Sequence, residues 1–258
     1  KSIGDTFGYY SNSDNSYDIW VPALGITAIE ETGGTIRAVL NQTEKTNKLA
    51  RVRSFYQDNA GVMHSSNIAG DQYYGQSGVS TFIDGNAMFI TDTFSAAYDY
   101  FRGISTDAYG MMPQPKWDKS QEYYMSYIND NYTVWALNFN IAYGSERDFA
   151  AHMTDALCAE SSESLYYEFY EEMLKGKYSK DDATREMVDK IMENVMCDAT
   201  RQFGNYLYGW AGVTGYTGAI RSYFRNVNYD LITNLQGYEQ QINNPGGALD
   251  KMFEAAYQ

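Results

Sequence analysis

Glu30-Glu31, Glu171-Glu172 and Asp181-Asp182 are adjacent carboxylate pairs of the kind that general acid–base chemistry uses, in a chain of 258 residues. Glycoside hydrolysis needs only two carboxylates, held on either side of the scissile bond. Nothing in the sequence selects a pair: each of these falls at a helix end or on a surface, where solvation explains it. His64 and His152 stand far apart with no carboxylate spacing typical of a metal site, and read as surface or hydrogen-bonded histidines. Cys158 and Cys197 are too few for a disulfide framework and lack metal-ligand spacing. Both fall in helical patterns, so buried free thiols are expected, with one disulfide between them as the alternative. No nucleophile elbow, phosphate-cradling glycine loop or metal-binding His pair occurs. The sequence therefore reads as a non-enzyme with no metal and no cofactor.

The excess that stands out is aromatic. Tyrosine accounts for 25 residues, and aromatic residues make up 16% of the chain. A tyrosine ring has an apolar face and a polar tip, which suits stacking on wet, hydroxylated ligands. Carbohydrate or peptide binding is raised by that count, although tyrosine also fills core rims. The net charge of −14 repels a phosphate backbone, so nucleic acid is not an expected partner, and an anionic membrane surface is disfavoured for the same reason. Hydrophobic content of 44% with 20% charged residues is globular composition. No run approaches the roughly 18 apolar residues of a membrane-spanning helix. Lys1 opens the sequence inside what reads as folded chain, so a leader or anchor is expected to lie outside it.

Elements that would position binding groups follow from periodicity. A short strand is expected at Thr6–Tyr9, and Tyr17–Ile29 is apolar and β-inclined, with Pro22 limiting it to a strand end or broken strand. Glu31–Gly34 reads as a turn leading to a strand at Thr35–Leu40, a hairpin. Thr46 is the expected cap of a helix to Asp58, with Leu49, Val52 and Tyr56 at helical spacing. Asn59–Gly78 reads as a polar loop. A short helix at Val79–Ile83, a strand at Ala87–Thr91 and a helix at Phe94–Arg102 form a βα unit.

A strand is expected at Tyr109–Met112. Pro113 and Pro115 then force an extended crossing over Met112–Lys116. Strands are expected again at Tyr123–Ile128 and Thr133–Phe139. Ser145 with Asp148 resembles a capping pair for a helix to about Glu160. A second helix is expected from Ser161 or Ser162 to Leu174, and a third from Ser179 to about Thr200, with Val188, Ile191, Met192, Val195 and Met196 as its apolar face. Residues 151–200 hold 12 acidic and 5 basic side chains, as a solvated outer face would. Arg201–Gly218 is aromatic and glycine-rich without a clean period, a composition that places rings and backbone near a ligand. Terminal helices are expected at Ala219–Val227, Leu231–Ile242 and Ala248–Tyr257. Trp117 and Trp135 read as packing residues.

Three segments carry a resemblance. FIDGNAMFI, from Phe82 to Ile90, is similar to the F-x-x-G-x-A-M segment of extracellular solute-binding proteins of ABC importers. YGMMPQPKWDKSQEYY, from Tyr109 to Tyr124, resembles a proline-containing passage of the family 1-like, clostridial-type sugar-binding lipoproteins within that family. The helical run from Ala159 to Ile191 resembles theirs as well. The matches come in the family's order and span roughly Tyr17 to Phe203. One departure is Asn138-Phe139-Asn140, where the family tends to carry proline after the strand matching Trp135-Ala-Leu.

That resemblance implies an α/β, type II periplasmic-binding-protein-like fold: mostly a second lobe plus a C-terminal helix-rich return segment. Residues 1–125 would be the second-lobe α/β segment, 126–190 a helix-rich segment returning to the first lobe, and 191–258 C-terminal helices returning to the second. The family's N-terminal segment and lipidated Cys have no counterpart in the match. By the same resemblance the protein would be extracellular and attached to the surface of a Gram-positive-type bacterium, by a lipid anchor absent from this sequence. It would capture a saccharide or oligosaccharide, with peptide as second choice, and deliver it to ABC permease subunits. Carried over by position, Phe94, Asp92 and Trp20 would face the ligand, with Arg201, Phe203, Tyr206 and Trp210 near the hinge. A non-transport glycan-adhesion or protein-interaction module on the same architecture is the alternative.

Overall fold

Phe7–Ser11, in the sequence FGYYS, is the central strand (β1) of a three-stranded parallel sheet. In the computed structural model, which describes residues 5–11, 15–33, 35–64, 76–101, 109–128, 144–179, 181–196, 215–247 and 251, β1 pairs on one side with β4 (Val62–His64) and on the other with β5 (Ala87–Thr91). Mixed α/β architecture is thus observed. A hairpin of β2 (Ile29–Thr32) and β3 (Thr35–Ala38) lies between β1 and α3 (Thr43–Gln57) in the chain. Helix α4 (Gln76–Ile83) leads into β5, and Gly85, at φ +75°, makes the intervening turn that a side chain would strain.

The stretch Tyr17–Ile29 was expected as a broken strand and is helical instead: α1 (Asn15–Asp18) and α2 (Trp20–Ala23). Pro22 sits in the first turn of α2, where its missing N–H leaves no bond unmade. All four residues of α2 are buried, so the β-like apolar run reflects burial on every side rather than a pleat. Val62–His64 corrects the expected loop over Asn59–Gly78: three successive buried residues make a strand too short to show alternation.

Nineteen buried side chains form the main core, drawn from α1, α2, the hairpin and α3, and from two later helices, α8 (Gly215–Arg225) and α9 (Leu231–Asn243). Phe224 and Leu235, both fully buried, close over Tyr17, Leu49 and Tyr56. The side-chain amide of Asn243 donates to Ala38 O at 2.9 Å and accepts from Ala38 N at 2.8 Å, satisfying the free edge of β3 as a strand would. Asp18 and Arg221 form an ion pair that joins α1 to α8, with only 6% of the Asp18 side chain exposed.

Of the hydroxyl residues expected as helix starts, Thr46 and Ser179 bond backward, whereas Ser145 is the first residue of its helix, behind Gly144, with no side-chain cap bond. Thr46 Oγ1 donates to Thr43 O at 3.1 Å inside α3, which begins at Thr43 rather than Thr46. Ser164 Oγ donates to Glu160 O at 2.7 Å, and Ser161 and Ser162 lie inside α6 (Ser145–Glu163) rather than starting a new helix. Ser179 Oγ donates to Leu174 O at 2.8 Å, and α7 (Asp182–Glu193) is capped by Asp181 accepting from Thr184 N at 2.8 Å. A hydroxyl that already satisfies a carbonyl three to five residues back has no need of an amide ahead of it. Between α6 and α7 lies a π-helical segment, Tyr167–Lys177. Helix α7 stops at Glu193, short of the expected Thr200, because Val195–Met196 (β7) pairs in parallel with β6 (Ser126–Tyr127). Val195 and Met196 therefore belong to a strand and not to the helical face.

The two-proline crossing carries no helix or strand, and the strand expected at Tyr109–Met112 does not form. Its side chains reach in both directions. Met111 packs with Leu174 and Val188, while Gln121 Nε2 donates to Ala23 O at 2.8 Å. Trp117 is exposed rather than packed, with the Lys48 ammonium 5.9 Å from its ring. Cys158, expected to be buried, is exposed and free on α6. Cys197, Trp135, Thr133–Phe139 and most of the expected last helix lie outside the described residues.

Candidate functional site

Ser11 ends β1, and the register sets it opposite His64 at the end of β4 and Thr91 at the end of β5. Three parallel strands thus deliver three polar side chains to one carboxyl edge. From β1 the chain goes to β4 on one side and then to β5 on the other, so the strand order reverses at β1. In open parallel sheets the crevice outside the carboxyl ends at such a reversal is where ligands settle.

A network of neutral hydroxyls fills this edge. Tyr9 OH and Thr91 Oγ1 are 2.6 Å apart, and Gln114, between the two prolines of the crossing, donates from Nε2 to the same Thr91 oxygen at 3.3 Å. Trp20 Nε1 donates to Tyr56 OH at 3.0 Å, and that hydroxyl donates in turn to Ser11 Oγ at 3.4 Å. Rings pack edge to face around them: Tyr9 against Phe55 at 5.3 Å, Tyr56 against Tyr17 at 4.8 Å. His64, 1% exposed, stacks on Tyr17 with centroids 4.2 Å apart.

Burial pushes the Tyr9 phenol up, against the hydrogen bonds from Thr91, Tyr56 and Ser11 that pull it down. Burial pushes Tyr56 well above the usual phenol range, and an ionised Tyr9 beside it would push it further. Both remain neutral donors and acceptors at physiological pH. The accessible rim is Asp92 and Thr93, exposed in the turn after β5, with Tyr9 and Gln114 half-buried beneath. Asp92 Oδ1 accepts from Thr93 N at 2.8 Å, which holds the turn that leads to α5 (Ser95–Asp99).

Of the residues expected to face a ligand, Trp20 and Asp92 come to this same edge. Trp20 is buried, reaching the site through its bond to Tyr56 and its ring contact with Tyr9, centroids 6.4 Å apart, and Asp92 stands at the rim. Phe94 points elsewhere: half-buried at the start of α5, it packs against Leu174, Tyr178 and Val188 and meets Tyr170 edge-on at 6.1 Å. Arg201, Phe203, Tyr206 and Trp210 lie outside the described residues. Sequence reasoning passed over Tyr9, Ser11, Tyr56, Thr91 and Gln114. A glutamine between two prolines was a signal for one of them.

Among the described residues no three His, Cys, Asp or Glu side chains converge as a metal site would require, and no helix is long and apolar enough to cross a membrane. No family model, curated protein or solved structure matches this chain.

Proposed function

We propose that this chain is the extracellular solute-binding component of an ABC importer, with a type II periplasmic-binding-protein-like architecture, capturing a carbohydrate in an aromatic-lined cleft. The observation that carries this reading is the reversal of strand order at β1, with Ser11, Thr91, Tyr9 and Gln114 at the carboxyl edge and Asp92 on its rim. Neutral hydroxyls and amides are groups that pair with the hydroxyls of a sugar, and the exposed Asp92 carboxylate has acceptor capacity beyond its bond from Thr93 N. The half-buried rings of Tyr9 and Phe55 are the aromatic surface this reading assigns to a sugar ring.

On this reading the protein makes and breaks no covalent bond. Ligand binding stabilises whichever arrangement gives it the most contacts, and that arrangement is presented to the permease. Gln114 ties the edge of the sheet to the crossing, so ligand contacts at Thr91 bear directly on the segment that connects the two halves of the chain. Cell-surface attachment through a lipid anchor outside this sequence belongs to the same proposal.

A thermal-shift screen against mono-, di- and oligosaccharides, with di- and tripeptides as contrast, tests it. A ligand at 100 times its dissociation constant adds about 2.7 kcal/mol to stability. The expected result is a saccharide hit that Asp92→Asn and Gln114→Ala weaken, since Asp92 is exposed, Gln114 is half-buried and neither belongs to a core cluster. Peptide hits alone, or sugar binding indifferent to both substitutions, would overturn the assignment.

A further inference from the structure

The two edges of the parallel sheet differ. At one, β4 is three residues long and buried throughout. At the other, β5 is five residues long, and among the described residues its backbone pairs only with β1. The N–H and C=O groups along its outer side are therefore open to a further strand, over about 16 Å at roughly 3.3 Å per residue.

Natural sheets blunt such edges with lysine, proline, a bulge, a very short strand or a covering segment. Asn243 covers the free edge of β3 in this way. Ala87–Thr91 holds neither lysine nor proline, and Met88 and Phe89 are 73% and 44% exposed. As consecutive residues of a strand they stand on opposite faces, so both faces are bare beside the open edge. Ile83, at the end of the helix that leads into β5, is exposed as well. A long, apolar, unprotected edge is a template for pairing with another chain.

Charge identifies the occupant. Residues 76–101, which contain α4, β5 and α5, hold Asp84, Asp92 and Asp99 and no lysine, arginine or histidine. Asp84, in the turn before the strand, is exposed and forms no ion pair among the described residues, and Asp92 directly follows the strand. The edge thus has an apolar middle and a carboxylate at each end. A second copy, paired antiparallel about Phe89, would bring Asp84 of one chain close to Asp92 of the other, in a chain whose net charge is already −14. We infer that this edge accepts, by strand addition, an extended segment of a partner protein that is apolar at alternate positions and carries lysine or arginine at both ends. Backbone bonds to the edge hold the segment, Met88 and Phe89 cover its apolar side chains, and the end carboxylates meet its cations. The inference is independent of the sugar reading, since it concerns the side of β5, whereas Thr91 and Asp92 frame the sugar site at its carboxyl end.

Anisotropy of a labelled peptide of about nine residues, with valine and threonine alternating between terminal lysines, tests the inference on the whole chain. One control carries methyl groups on its central backbone nitrogens, which keeps the side chains and removes the N–H donors a strand needs. The other has glutamate in place of lysine. The unmethylated lysine peptide should bind, the methylated one roughly tenfold or more weakly, and the glutamate version not at all. Met88→Ser with Phe89→Ser should weaken the lysine peptide, and Asp84→Asn should flatten its salt dependence. Phe149→Ser, at an exposed apolar residue of α6, should change nothing. Failure of the lysine peptide to bind, equal binding of either control, or equal loss with Phe149→Ser would overturn the assignment. So would sedimentation showing a dimer that Phe89→Ser dissolves, which would make the occupant a second copy.

Discussion

Around Leu49 and Phe224 the chain closes on nineteen buried side chains contributed by both ends of the described sequence. Along residues 144–196 the largest buried cluster is Leu174, Tyr178 and Val188 with Ala97 of α5, and α6 buries nothing. Composition does not account for the difference, since Phe149, Met153 and Leu157 are as apolar as Leu49, Val52 and Tyr56. Partners do. Helix α3 has α8 on one flank and the sheet on another, and its apolar residues at i, i+3 and i+7 all find cover. Helix α6 carries Phe149, Met153 and Leu157 at steps of four, and all three are exposed. An amphipathic stripe predicts that a helix has something to cover and says nothing about whether the cover lies in the same chain.

Substitutions at matched positions would break or sharpen this contrast. The largest effect is expected at the centre of the body: Phe224→Ala should cost about 3–5 kcal/mol in chemical denaturation, the range for emptying a buried aromatic site. Asp18→Ala follows, at about 3 kcal/mol or somewhat more, because it leaves Arg221 partly buried beside an apolar cluster without its carboxylate. Tyr56→Phe should cost about 1–3 kcal/mol, since Trp20 Nε1 loses its buried acceptor.

The same tyrosine gives the body a pH signature. Its folded pKa is raised, so the folded chain keeps this proton when the unfolded chain has lost it. The stability held by that difference is full below about pH 10 and falls as pH climbs from there toward the folded value. Unfolding followed between neutral and alkaline pH should show that decline, and Tyr56→Phe should reduce its slope. A decline unchanged by Tyr56→Phe would move the effect to another phenol, Tyr9 first. At the small end, Leu157→Ala should change stability by no more than about 0.5 kcal/mol, as exposed substitutions do. If it costs as much as Phe224→Ala, α6 is covered in solution and the contrast is gone.

Elements whose signal is local were legible in advance: β3, which follows the Gly33 turn, β5, and the body of α3 and α9, while the first arm of the hairpin was expected at Tyr17–Ile29 and lies at Ile29–Thr32. In α3 and α9 the apolar period agrees with what the helix buries, whereas β5, apolar throughout, leaves Met88 and Phe89 exposed. Elements made by distant pairing were not. Residues 62–64 and 195–196 are too short to show a period, and become strands only because β1 and β6 offer backbone groups to bond. The hydroxyl residues misled for a different reason, since serine and threonine bond either forward to an amide or backward to a carbonyl, and the choice depends on where the helix has already begun. The candidate site was legible in part. Asp92 and Trp20 carried sequence signals, whereas Ser11, Thr91 and Tyr56 are ordinary residues until three strands and a helix bring them within reach.

The sequence by itself determined the α/β alternation, the acidic character, the extended crossing at Met112–Lys116 and which helices are amphipathic. Each of these depends on residues within a few positions of one another. Only the tertiary structure decided that Tyr17–Ala23 is helical, that Phe94 turns to the helical segment while Thr91 turns to Tyr9, and that α3 is covered while α6 is not. Those outcomes depend on partners up to two hundred residues away, as Asp18 and Arg221 show. A residue's own type fixes what it needs to bury or bond, and the fold supplies the group that meets the need.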